Sequence, residues 1–156
     1  MRLTDVLTED MIKMDLEAAS RDDAVRELVR LLADRGKIRP EDIQPTSEAI
    51  LEREHLGSTA IGRGVAIPHA KTPAAREFIA AFGRSRVGID FSAVDGEPAH
   101  LVFLLVSPPD SQRTHLKALA HISRLLSKQD LRAHILAAKT PAEIIRVFSE
   151  VDSGTL

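Results

Sequence analysis

The middle of the chain carries two apolar runs whose length is typical of strands. They span Phe78 to Ser85 and Leu101 to Val106, and the Asp95–Gly96 pair between them favours a turn. The shorter stretches Met11 to Leu16 and Val65 to Ile67 also read as strands. The chain is therefore expected to build a sheet from segments on both sides of its midpoint.

Helical signals precede and follow these strand candidates. Each predicted helix combines a capping residue or first-turn proline with apolar periodicity. The predicted helices run from the Ser20 cap to Gly36, from a Thr46 cap over Ser47 to His55, and onward from Thr114, Asp130 and Thr140–Pro141. This mixed order predicts an α/β (α+β) fold, a mixed β-sheet flanked by helices. The length of 156 residues fits a single domain over 1–156.

Composition excludes several classes of function. The net charge is -2 with both signs mixed along the chain, and Trp and Tyr are absent, so neither a basic nor an aromatic nucleic-acid surface is expected. The lack of Cys excludes disulfides, thiolate metal sites and a cysteine nucleophile. No signal peptide, membrane-spanning run, P-loop or GxGxxG segment occurs, so a cytoplasmic protein without membrane insertion or a cofactor is expected.

The most informative segment, LEREHLGSTAIGRGVAIPHA at 51–70, ends in a histidine that follows a proline. Pro68 fixes its own φ and biases Ile67 toward extended geometry. His69 is therefore predicted to lie on a stiff rim at the end of a strand. A neutral imidazole has one nitrogen with a lone pair, while the other carries a proton that needs an acceptor.

Groups that bind anions precede this histidine. Arg53 can grip a phosphate with parallel hydrogen bonds, Ser58 and Thr59 add hydroxyl donors, and the glycine-rich turn around Gly62 can bring backbone N–H groups close to an anion. Phosphoryl transfer asks mainly for positioning and charge stabilisation. The segment is therefore suited to phosphoryl transfer onto His69.

Taken singly, these residues have less specific explanations. Arg53 lies between two glutamates and could form an exposed intrahelical ion pair. A histidine after a proline is usually a loop residue, and Gly62 could be an ordinary turn glycine. His115 could be a surface residue at a helix start. The remaining histidines show neither HExxH nor a zinc-like spacing, so no metal site is expected.

The run REHLGSTAIGRGVAIPHA resembles the signature of type-2 enzyme IIA domains of the sugar phosphotransferase system, the fructose/mannitol type. In that signature a glycine or alanine and a short spacer precede I-A-I-P-H and a small residue. RLTDVL near the N-terminus and THLKALAHISRLL at 114–126 also fall where the family has counterparts. Ala70 stands where many members have glycine, a minor departure. The resemblance is strongest to the nitrogen-regulatory, PtsN-like branch.

The resemblance implies a role for each candidate residue. His69 matches the family's phosphorylated histidine, modified at Nε2. His115 matches a second histidine that contacts the phosphoryl group, and Arg53 matches an arginine that stabilises its charge. Ser58 and Thr59 would lie beside the site. The implied donor is phospho-HPr or its nitrogen-branch paralogue, and the implied fold is the enzyme IIA type-2 sandwich.

Three functions remain open for such a domain. In a regulator, the phosphorylation state of His69 decides which target protein docks. In a sugar-specific component, the phosphoryl group passes to a cysteine on a fructose/mannitol-type IIB protein. In the third, the fold survives without transfer, which the intact histidines and arginine disfavour. The absence of fused IIB or IIC segments favours the regulator.

Overall fold

The two central apolar runs form the longest strands of the computed structural model, which describes residues 2–154. Within those residues the strands are β1 (Ile12–Lys13), β2 (Ala60–Gly62), β3 (Val65–Ala66), β4 (His69–Lys71), β5 (Ile79–Ile89) and β6 (Ala99–Ser107). The α-helices are α1 (Arg21–Asp34), α2 (Ile43–Leu56), α3 (Gln112–Leu126), α4 (Gln129–Ala137) and α5 (Pro141–Asp152). Short 3-10 helices span Leu3–Asp5, Glu9–Met11 and Pro40–Asp42.

The sheet is mixed, with β5 and β6 at its antiparallel centre. Strand β1 pairs in parallel with β5, whereas β3 and β4 both pair in parallel with β6. Strand β2 closes the far edge by pairing antiparallel with β3. Nearly every residue of β6 is buried, as expected for a strand covered on both faces. The predicted fold class, a mixed sheet with helices, is confirmed.

Three phenylalanine rings join helix α5 to the centre of the sheet. Phe82 and Phe103 are paired across β5 and β6, with ring centroids 6.2 Å apart. Phe148 of α5 meets both rings edge-on, at 5.9 and 6.2 Å. All three rings are fully buried, and aromatic rings of this size contribute strongly to core stability.

Two predicted helix starts are confirmed by their capping bonds. The Ser20 side chain accepts a hydrogen bond from Asp23 N at 3.2 Å, and Thr140 accepts one from Glu143 N at 3.2 Å. Pro141 occupies the first position of α5. Its missing N–H costs nothing there because first-turn N–H groups lack intrahelical partners.

The predicted start of α2 is wrong. The helix begins at Ile43, so Pro45 lies in its first turn and Thr46 is a buried helical residue instead of the cap. A proline is tolerated at this place because the first turn needs no backbone donor. The proline therefore lies inside the first turn of the helix and does not precede it.

Two other boundaries also differ from the sequence prediction. Helix α3 begins at Gln112, so Thr114 lies within its first turn and is not the cap. Strand β1 is only two residues long, although Leu16 N still donates to Arg84 O at 2.8 Å. The segment beyond Lys13 therefore follows the edge of β5 without regular pairing. No helix among residues 2–154 has the length and hydropathy to cross a bilayer.

Strands β3 and β4 lie along β6 in one register, interrupted only at Ile67 and Pro68. Val65 pairs with Leu101, and His69 pairs with Leu105. Leu105 N donates to Pro68 O at 3.0 Å, which keeps the interrupted segment against β6. This arrangement places His69 where the C-terminal end of β6 leads into α3.

Candidate functional site

His69 is held by a backbone carbonyl two residues earlier. Its Nδ1 lies 2.7 Å from Ile67 O. Because a carbonyl can only accept, Nδ1 carries the ring proton and Nε2 keeps its lone pair. The ring is half-buried, so a reactive nitrogen is presented on a fixed imidazole.

His115 lies in the first turn of α3 and faces His69. Its ring centroid is 5.4 Å from that of His69, and the two rings are tilted by 52°. The residue is 5% exposed, and its Nδ1 is hydrogen-bonded to Ser107 Oγ at the end of β6. The structure therefore brings together two histidines that are far apart in the sequence.

The surroundings lower the pKa of both rings from the ordinary value of 6.5. Burial is the largest cause for His69; the Arg53 and Lys71 cations lower its pKa further, while the bond to Ile67 opposes the shift. Burial also dominates for His115, whose pKa falls to about 4 with smaller contributions from His69 and Lys71. Both imidazoles are therefore neutral at pH 7.

Arg53 approaches the histidines from the last turn of α2. Its Nη1 donates to Gly57 O at 3.0 Å, which anchors the guanidinium beside the end of its own helix. A guanidinium has five N–H donors, and no other partner for them occurs among residues 2–154. The remaining donors are free to bind an anion.

Two clefts meet at His69. The larger, of about 820 Å³, is bordered by Arg53, Lys71 and His115 together with the apolar side chains of Leu56 and Leu116. The smaller, of about 340 Å³, lies on the other flank of His69 and is bordered by Arg53, Ser58 and Thr59. An incoming group can thus reach the imidazole past cationic and apolar walls.

Ser58 and Thr59 border the smaller cleft, but their hydroxyl groups are engaged within the protein. Ser58 Oγ donates to Phe91 O and accepts from Ala60 N at 3.0 Å. Thr59 Oγ1 donates to the buried carboxylate of Glu54, which also accepts Thr59 N at 3.3 Å. Both residues hold the segment that follows α2 in place.

Gly62 is the last residue of β2, where the hairpin to β3 begins, and borders neither cleft. Its φ is +87°, and an added Cβ would lie 2.9 Å from the Asp95 carboxylate. That carboxylate accepts Arg63 N at 2.8 Å. Glycine is therefore required here by the turn and by the close approach of Asp95.

No group of three or more His, Asp or Glu side chains within residues 2–154 is arranged to hold an ion. The larger cleft places the neutral imidazole of His69 beside a second imidazole and a guanidinium. Such a set stabilises a transferred anionic group through charge and positioning.

The family model described as "Phosphoenolpyruvate-dependent sugar phosphotransferase system, EIIA 2" matches residues 5–151. The chain belongs to this EIIA type 2 family. The match runs from before β1 into the last turn of α5 and includes every residue that borders the two clefts. The resemblance noted on the segment around His69 is thus confirmed over nearly the whole chain.

Relatives of this EIIA chain are named either as nitrogen regulatory proteins or as fructose-specific EIIA components. It is 40% identical to the fructose-specific EIIABC component of Bacillus subtilis over 97% of its length, but spans only 24% of that longer protein. It is 38% identical to the nitrogen regulatory protein of Bradyrhizobium diazoefficiens, covering 96% of this chain and 95% of the relative. It is 36% identical to the fructose-specific EIIA component of Haloferax volcanii, covering 97% and 99%.

Solved EIIA structures share the fold. The nitrogen regulatory IIA protein of Neisseria meningitidis superimposes with a TM-score of 0.84 at 29% identity, covering 94% of this chain and 98% of that one. Mannitol IIA in its complex with phosphorylated mannitol IIB from Escherichia coli gives a TM-score of 0.76 at 20% identity, covering 92% and 96%. The second likeness concerns the fold alone.

Sequence reasoning missed one residue that borders this EIIA cleft and one buried residue that bonds its second histidine. Lys71 borders the larger cleft and lowers the pKa of both histidines. Ser107 is paired with Lys71 across β4 and β6 and bonds His115. Lys71 could have been found from its position two residues after His69 on a strand, which puts both side chains on one face. Nothing in the sequence indicates the register that brings Ser107 to the site.

Proposed function

We propose that this EIIA domain accepts a phosphoryl group from phospho-HPr, or from its nitrogen-branch paralogue, on Nε2 of His69. The observation that most directly supports this proposal is the hydrogen bond between His69 Nδ1 and Ile67 O at 2.7 Å. It leaves the nucleophilic lone pair on the nitrogen that can face an incoming donor. The proposal places the protein in the cytoplasm with that donor.

The transfer forms one bond to phosphorus and breaks one. The Nε2 lone pair of His69 attacks phosphorus as the bond to the donor's histidine nitrogen breaks, and that electron pair returns to the donor nitrogen. His69 Nδ1 keeps its proton and donates it in the hydrogen bond to Ile67 O throughout. Arg53 and His115 stabilise the oxygens of the phosphoryl group, a function that suits positioned donors beside a transferring phosphate.

The apolar border of the larger cleft supports a protein donor over a small molecule. Leu56 is 85% exposed and Leu116 is 64% exposed, although both are large apolar side chains. Partner surfaces characteristically combine such apolar contacts with a polar rim. Lys71, Glu52 and His55 supply polar groups beside them.

For the fate of the phosphoryl group, we favour a regulatory role in which phosphorylated and free His69 present different surfaces to target proteins. Adding about two negative charges to one imidazole changes the electrostatics of the cleft directly. The likeness to the Neisseria nitrogen regulatory IIA protein, at a TM-score of 0.84, supports this role.

The second candidate is a sugar-specific component that passes the group to a fructose/mannitol-type IIB protein. The full-length match to the Haloferax fructose-specific EIIA component favours it. In that case the phosphoryl group would move from His69 to a cysteine of the IIB protein.

A transfer assay with labelled phospho-HPr separates these outcomes. We expect label on His69 and no onward passage when a fructose-type IIB protein and sugar are added. Sugar-dependent loss of label would instead establish the second candidate. Failure of both phospho-HPr and the nitrogen-branch phospho-donor to label the folded protein would refute the proposed function as a whole.

A further inference from the structure

Ser107 is a fully buried residue with a single role for its hydroxyl group. It ends β6 and is 0% exposed. Its Oγ bonds to His115 Nδ1, and no other partner of this hydroxyl occurs within residues 2–154. The hydroxyl therefore reaches the site only through the second histidine.

The number of partners decides which atom carries the proton in this bond. If His115 Nδ1 donated, the serine hydrogen would have no acceptor in a buried place, which is unfavourable. If the serine donates, its hydrogen and the Nδ1 lone pair are both satisfied. His115 Nδ1 is therefore the acceptor, and the ring proton lies on Nε2.

We propose that Ser107 is a positioning residue that fixes His115 as the Nε2–H tautomer, so that this imidazole donates a hydrogen bond to a phosphoryl group on His69. This inference rests on the proposed function. It assigns opposite tautomers to the neighbouring rings. The carbonyl of Ile67 can only accept, so the ring proton of His69 lies on Nδ1. The hydroxyl of Ser107 donates, so the ring proton of His115 lies on Nε2.

The opposite tautomers suit the two tasks of the cleft. The lone pair of His69 Nε2 is the nucleophile, and a second lone pair on His115 Nε2 would repel the phosphoryl oxygens. The low pKa of His115, about 4, means that it enters the reaction as a neutral donor whose single proton must be on the right nitrogen. Tautomer control therefore decides whether His115 attracts or repels the transferred group.

The backbone holds Ser107 in place against β4 and the residue that follows it. It is paired with Lys71 across β4 and β6, and its carbonyl accepts Thr72 N at 2.9 Å. Helix α3 begins five residues later and carries His115 back over the strand end. The hydroxyl and the imidazole are thus brought together by two rigid elements, as positioning requires.

The test is the tautomeric state of His115 in the free protein, read from the ¹⁵N shifts of its ring nitrogens at pH 7. We expect Nε2–H for His115 and Nδ1–H for His69. In Ser107→Ala the His115 signals should move toward a mixture of tautomers, and Ser107→Thr should restore them. Wild-type His115 protonated at Nδ1, or unchanged shifts in Ser107→Ala, would overturn the proposal.

A labelling assay tests whether the tautomer of His115 affects phosphoryl transfer. Ser107→Ala should lower the rate of labelling by phospho-HPr about tenfold, and should lower it no further in a His115→Ala background. Ser85→Ala is the matched control, since Ser85 is also a buried strand serine but bonds Gly88 N. Absence of labelling in the wild type would count against the proposed function, while the shifts would still decide the tautomer.

Discussion

The two sides of the cleft hold their histidines by different means. On the strand side, His69 is half-buried and bonded to a backbone carbonyl. On the helix side, His115 is buried and bonded to a side-chain hydroxyl. The difference separates two requirements of phosphoryl transfer. In the proposed transfer, the strand side would keep a nucleophile accessible, and the helix side would keep a hydrogen-bond donor fixed and neutral.

The largest expected effect comes from removing the accessible ring. His69→Ala should abolish labelling by phospho-HPr because it removes the ring that borders both clefts and lies beside Arg53 and His115. His134→Ala is the control, since that exposed histidine is bonded to Asp130 O on α4. Label that persists in His69→Ala would put the acceptor on another residue.

Removing the buried ring should slow transfer without moving the acceptor. We expect His115→Ala to reduce the rate by about 10²-fold, the scale of a lost donor to a developing charge. Peptide mapping should still place the label on His69. A wild-type rate would show that the helix side contributes no stabilisation.

A smaller effect is expected for Arg53, which borders both clefts. Arg53→Lys keeps the charge but loses the planar fork, and we expect about a tenfold lower rate, equal to about 1.4 kcal/mol of transition-state binding. Arg63→Lys is a matched control on the β2–β3 hairpin, where the side chain bonds Ser127 O. Equal effects of the two substitutions would argue against a role for Arg53 at the phosphoryl group.

The pH dependence distinguishes the two rings further. Because the folded-state pKa of each ring is lowered from 6.5, the unfolded chain takes up protons at a higher pH than the folded protein does. The free energy of unfolding should therefore fall as the pH drops below about 6.5. We expect the labelling rate to change less than about twofold between pH 7.5 and 6.5. In an NMR titration the midpoint of His115 should lie near 4. A midpoint of His115 near 6.5 would contradict the burial argument.

The smallest effect on transfer is expected at Ser58. Its hydroxyl links Phe91 O and Ala60 N, so Ser58→Ala should lower the free energy of unfolding by about 1 kcal/mol and leave the transfer rate within about twofold. Urea unfolding and the labelling assay measure the two quantities. A rate loss as large as that of Arg53→Lys would mean that the hydroxyl contacts the phosphoryl group.

Local signals in the sequence predicted much of the fold. The caps at Ser20 and Thr140 satisfy donors only three residues away, so they can be predicted from neighbouring residues alone. The prediction of Thr46 as a cap is wrong because a first-turn proline does not indicate how many helical residues precede it. Helix boundaries near positions that tolerate proline without cost are therefore the hardest to predict from the sequence.

The residues of the candidate site likewise differ in how far the sequence alone predicts them. The segment around His69 is contiguous and could be recognised. The bond between Thr59 and Glu54 could not be predicted, because burial of that carboxylate depends on how α2 packs. Ser107 and Lys71 meet only through the pairing of β4 with β6, a register that is set by the whole sheet.

The shared register of β3 and β4 constrains the length of the segment around Pro68. Val65 lies opposite Leu101 and His69 opposite Leu105, so neither strand gains or loses a residue across the interruption. Side chains alternate between the faces of a sheet. One residue inserted or deleted between Ala66 and His69 would turn the imidazole to the opposite face, and descendants of this sequence can therefore vary the residues of this segment more readily than its length.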